Sequence, residues 1–96
     1  MNLHDFKQSL EQEAPPTGLN LTLQALWLAG KNDWQGSHNL LQNDESANGS
    51  WVHAYLHREE GDIPNARHWY SKAGKTIPSV SLKEEWDDIA TALLSE

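Results

Sequence analysis

Apolar residues recur every three or four positions in six separate stretches of this chain, and turn or cap residues separate the stretches. Leu3, Phe6 and Leu10 lay one modest stripe along a first helix over residues 2–13, which "APPTG" ends because Pro15 disfavours helical geometry at Ala14. The segment 19–29, "LNLTLQALWLA", has leucines on more than one face, so this helix is predicted to be covered on several sides and to form the centre of the core. Gly30 closes it, and Asp33 caps a third helix whose apolar residues Trp34, Leu40 and Leu41 run to about Gln42. Beyond the cap-rich "NDESANGS", a fourth helix starts between Ser46 and Trp51 and stops at Gly61. Asp62 caps a fifth, which ends near Gly74 and tolerates Pro64 because first-turn amides have no helical partner. Ser81 and Glu84 form a capping box for the last helix, where Leu82, Trp86, Ile89, Ala90 and Leu93 make an apolar stripe and Glu84, Glu85, Asp87 and Asp88 are assigned to solvent. No period-two run is long enough for a strand, and the chain is predicted to be all-α.

Shifting the sequence against itself by 29 positions sets Ala25 on Ala54, Asp33 on Asp62, Ser37 on Ala66, Leu40 on Trp69 and Leu41 on Tyr70. Each copy is a helix, a short turn with an Asp cap, and a second helix, with small residues where antiparallel helices must approach and large ones beyond. The run "GDIPNARHWYSKAGKTIP" resembles the second half of a tetratricopeptide repeat, with Gly61-Asp62, Ala66, Tyr70, Ala73 and Pro78 at that family's spacing, and "ARHWYSKA" resembles the related Sel-type repeats. Residues 37–74 also resemble a group of uncharacterised bacterial and fungal proteins with a Ser-His pair followed by a His-Ala-x-x-His-Arg-x-Glu-Gly-Asp-x-x-Asn-Ala-x-x-Trp-Tyr block, here Ser37-His38 and His53 to Tyr70. The first unit departs from the repeat pattern, with Asn32 in place of Gly and Asp44 in place of Ala.

The resemblance implies a small right-handed superhelix within one domain, residues 1–96: an N-terminal helix and loop (1–18), two α-α hairpins (19–44 and 46–76) and a capping helix (79–96). Two hairpins are fewer than the three or so such stacks need, so the flanking helices complete the core or the chain dimerises. A chain of 96 residues buries only about two-thirds of its unfolded surface. Five tryptophans, each able to bury roughly 150–250 Å², are the means of compensating.

Fourteen acidic against seven basic residues give this acidic protein a formal charge of −7, with no basic stripe for phosphates, and nucleic acid is not an expected partner. The absence of cysteine excludes disulfides and thiolate chemistry and fits the cytoplasm. No apolar segment is long enough for a membrane span and no secretory leader is read at the N-terminus. No glycine-rich phosphate loop or catalytic triad stands in a credible context, so a non-enzymatic protein is expected, with no cofactor.

Two constellations carry the remaining chemistry. His53 and His57, four apart on the fourth helix, can share a metal, with His38 as a third ligand, although the H-E-x-x-H signature is absent. The repeat register instead places both on the packing face, where a buried imidazole needs a hydrogen-bond partner such as Ser37, Asn65 or a backbone carbonyl. Glu59 and Glu60 follow as adjacent carboxylates, which diverge on a helix and read as a solvated edge. Trp51, Tyr55 and Arg58 fall on the face that lines the concave groove in tetratricopeptide repeats, where aromatic residues beside an Arg suit a protein or peptide partner. The leading expectation is a peptide- or protein-binding module using Trp51, Tyr55 and Arg58; the alternative is a metal, small-molecule or enzymatic site on His38, His53, His57 and Arg58.

Overall fold

The computed structural model describes residues 1–96 as six helices and no strand: α1 (Leu3–Ser9), α2 (Leu21–Gly30), α3 (Trp34–Leu41), α4 (Ala47–Glu59), α5 (Ile63–Lys72) and α6 (Leu82–Leu94). Every helix begins on a side-chain cap. Asn2, Asn20, Asp33, Ser46, Asp62 and Ser81 each accept a bond from the amide three residues on, satisfying a donor that the helix leaves unpaired.

The helices α2 and α3 pair as one hairpin and α4 and α5 as a second, with α3 and α4 forming the seam between them. The two turns are built alike. Asn32 (φ 63°) and Gly61 (φ 85°) both take the left-handed conformation, and the next amide reaches back to Leu28 and His57 respectively, at 2.9 Å in each turn. Asn32 is thus the residue that substitutes for glycine without changing the geometry. At the paired small positions, Ala25, Ser37, Ala54 and Ala66 are all completely buried. Ala54→Leu is accordingly expected to overpack the second hairpin and lower stability by about 1–3 kcal/mol. Urea unfolding checks it, and an unchanged midpoint would mean that α4 and α5 can separate at no cost.

α1 is shorter than the 2–13 helix predicted. After Ser9 the amides of Leu10, Glu11 and Gln12 bond three residues back, tightening the turn, while the Lys31 ammonium takes the Leu10 and Gln12 carbonyls at 2.6 and 2.8 Å. The ammonium thus satisfies carbonyls that have no partner within the helix.

α6 crosses α2 and α4 and closes the core. Its Trp86 stacks on Phe6 of α1 and donates its indole N–H to the Leu26 carbonyl at 3.0 Å, while Ile89, Ala90 and Leu93 pack with Leu26, Trp27 and Leu56. Gly30 makes this approach possible, since a Cβ there would stand 3.0 Å from both Leu10 and Trp86. One expectation is corrected here: Glu85, assigned to solvent, is only 2% exposed. It lies between Leu82 and Ile89 on the inner face and is held by Arg58 and Tyr70, which reach it from α4 and α5. No helix is long and apolar enough to cross a membrane.

Candidate metal site at the seam of the hairpins

The seam between α3 and α4 gathers His38 from one side and His53 and His57 from the other. The i, i+4 spacing puts His53 and His57 on one face of α4, with ring centroids 5.0 Å apart and planes nearly parallel. His38 meets both edge-on, at 4.8 and 5.7 Å. One ring nitrogen from each histidine lies within 4.8 Å of the other two. His53 and His57 are 3% and 6% exposed, and His38 is half-buried at the outer edge.

Two tryptophans fix the rings from outside. Trp69 stacks on His53 at 3.8 Å, and Trp34 stacks on His38 at 4.8 Å while donating its indole N–H to the Leu56 carbonyl at 2.8 Å. The five rings form one contiguous cluster, stacked at each tryptophan and edge-on where His38 meets the pair on α4. His57 Nδ1 meets a Glu60 carboxylate oxygen at 2.7 Å. With the proton on that nitrogen, Nε2 is left as the lone-pair donor. His53 Nδ1 is buried with no hydrogen-bond partner.

Burial disfavours a charge on two of the three rings. Burial, then the neighbouring His38, His57, Lys72 and His68, lower the His53 pKa to about 4, and burial followed by His57 lowers that of His38 against a smaller opposing effect of Glu60. A neutral imidazole is the form that ligates a metal.

The other residues singled out from the sequence lie elsewhere. Tyr55 is buried on the opposite face of α4, Arg58 is tied to Glu85 and the Val80 carbonyl, and Trp51 is half-buried beneath the Lys75 ammonium at 4.0 Å. The structure therefore separates Arg58, through its partners, from the three histidines, which it brings together. The polar partners anticipated for the buried imidazoles are also corrected. The Ser37 hydroxyl is spent on the Ala25 carbonyl, and the partner of His57 is Glu60, read from sequence as part of a solvated edge. The three-residue spacing from His57 to Glu60 was the available signal; the positions of Trp34 and Trp69 against the rings had none beyond their place in the repeat.

Family models, curated proteins and solved structures gave no match to this chain.

Proposed function

We propose that this protein binds a divalent transition metal of the zinc class, held at the seam of two tetratricopeptide-like hairpins by His38, His53 and His57. The observation that carries the reading is the convergence of three ring nitrogens within 4.8 Å, one histidine of the three having a buried nitrogen without a partner. Tetrahedral bonds of about 2.0–2.1 Å place ligand nitrogens about 3.3 Å apart. Binding therefore requires the ring nitrogens to draw closer than the 4.8 Å that encloses them in this structure. Three imidazoles with no thiolate or carboxylate suit zinc, copper or nickel and leave a fourth position for water or an exogenous ligand. Glu60 supplies the carboxylate that orients a ligating histidine from behind, an arrangement common to such sites. The peptide-binding reading has less support, because Arg58 is bonded within the fold and Tyr55 is nearly covered, leaving little surface for a peptide.

Zinc titration followed by histidine ring NMR tests the proposal. His38, His53 and His57 are expected to shift together at one equivalent while His4 and His68 stay in place. Glu60→Gln is expected to weaken the affinity by about 10–100-fold, and His38→Ala by more. Ring signals that do not move, or that move independently, overturn the assignment.

A further inference from the structure

A cleft of about 250 Å³ opens where α1, α2, α4 and α6 meet. It lies on the other side of α4 from the histidines, since Tyr55 and Glu59 are two positions on from His53 and His57 and so point the opposite way. Leu10, Tyr55 and Trp86 give it apolar walls, and Trp86 is fixed by its bond to Leu26. Its size falls just below the roughly 300–1,000 Å³ of drug-sized sites, so a guest must be small.

Four charged groups line it, two of each sign. Lys7 and Asp87 pair with one another at 3.2 Å. Glu59 and Lys83 enter no ion pair or side-chain hydrogen bond, with each other or with anything else, and the Tyr55 hydroxyl and the Asn32 side-chain amide are equally uncommitted. One anion, one cation and two neutral polar groups therefore line the cleft without protein partners beside an aromatic wall, with Glu59, Lys83 and Asn32 open to solvent and so to a guest. An anionic guest would meet Glu59 and Asp87, a cationic one Lys7 and Lys83, and an apolar one would strip water from four polar groups without replacing it. A compact dipolar guest satisfies both free charges at once.

We propose that this cleft binds a zwitterion of the free α-amino-acid class, its ammonium on Glu59, its carboxylate on Lys83 and an aliphatic side chain against Leu10 and Trp86. The site is independent of the metal reading. L-leucine, N-acetyl-L-leucine and L-leucinamide, titrated separately into the labelled protein, are the probes. L-leucine is expected to give saturable shifts at the Gly30 and Asn32 amides and the Trp86 indole below about 10 mM, and each blocked form to bind at least about ten-fold more weakly. Glu59→Gln and Lys83→Met should each reduce L-leucine affinity by about ten-fold or more without moving the unfolding midpoint, because neither side chain has a partner to lose. His38→Ala should leave it unchanged, which separates this site from the metal site. The proposal is overturned if L-leucine gives no saturable shift, if a blocked form binds as well, or if either charge substitution has no effect.

Discussion

Glu85→Ala is expected to lower the stability of this protein by about 3–5 kcal/mol, the cost of breaking a buried ion pair from one side. Glu85 is nearly inaccessible, and both its oxygens are occupied: Oε1 accepts from the Arg58 guanidinium at 2.9 Å and Oε2 from the Tyr70 hydroxyl at 2.5 Å. Arg58 also donates to the Val80 carbonyl, so one carboxylate joins α4, α5, α6 and the segment that leads into α6. Burial and the hydrogen bond to Glu85 keep the Tyr70 hydroxyl protonated far above its usual range, which makes it a dependable donor. With the carboxylate removed, a largely buried guanidinium has lost its counter-charge and a buried hydroxyl its acceptor. Small domains have about 5–15 kcal/mol in total, so the variant should show a much lower urea midpoint and a measurable unfolded population. Replacing the whole set, as Arg58→Met, Glu85→Leu and Tyr70→Phe together, should recover most of the loss, because desolvation of the pair is relieved with its attraction and no buried hydroxyl is left without an acceptor. A single variant as stable as the parent would mean that water replaces the carboxylate freely and that α6 is not latched there.

The same residue shows where sequence reading stopped. Spacing alone places Glu85 beside Leu82, Trp86 and Ile89 on the inner face of α6; its charge argued for solvent, and the partner that reverses this lies 27 residues away on α4. Local signals fared better because their physics is local. The Asp caps, the small residues at positions 25, 54 and 66, and the left-handed Gly61 follow from turn and packing geometry within one hairpin, whereas the helix expected to close on Gly30 runs through that residue and turns at Asn32 instead. Tyr55 and Arg58 were assigned to an open groove because repeat register says which face a residue occupies but not what covers it. Here α6 packs against that face of α4. The histidine site was legible in part. The pair on α4 is a spacing, whereas its junction with His38 and the Trp69 stack depends on how the hairpins meet.

That junction gives the second large effect. Between about pH 6.5 and 4 the metal-free protein is expected to lose up to about 3 kcal/mol of stability through His53. The folded-state pKa, about 4, lies below the unfolded value near 6.5, so on acidification the unfolded chain takes up the proton first. Stability is complete above 6.5, falls through the interval and levels off below 4, where both states are protonated. His38, lowered in the same direction, adds to the decline. The cause is physical crowding: His53 is stacked on Trp69 and faces His38, His57, His68 and Lys72, so a charge on it would be desolvated and set among other basic groups. Urea midpoints measured across this range should decline steeply for the parent and less so for His53→Phe, which keeps the stack on Trp69 and removes the titration. Parallel profiles would assign the acid sensitivity to other groups. Zinc should steepen the parent profile. An ion on three neutral imidazoles stabilises the folded state at neutral pH and is displaced by protons as pH falls, so metal and acid compete for the same nitrogens. In His53→Phe that added steepness should largely disappear, because the set is reduced to two ligands.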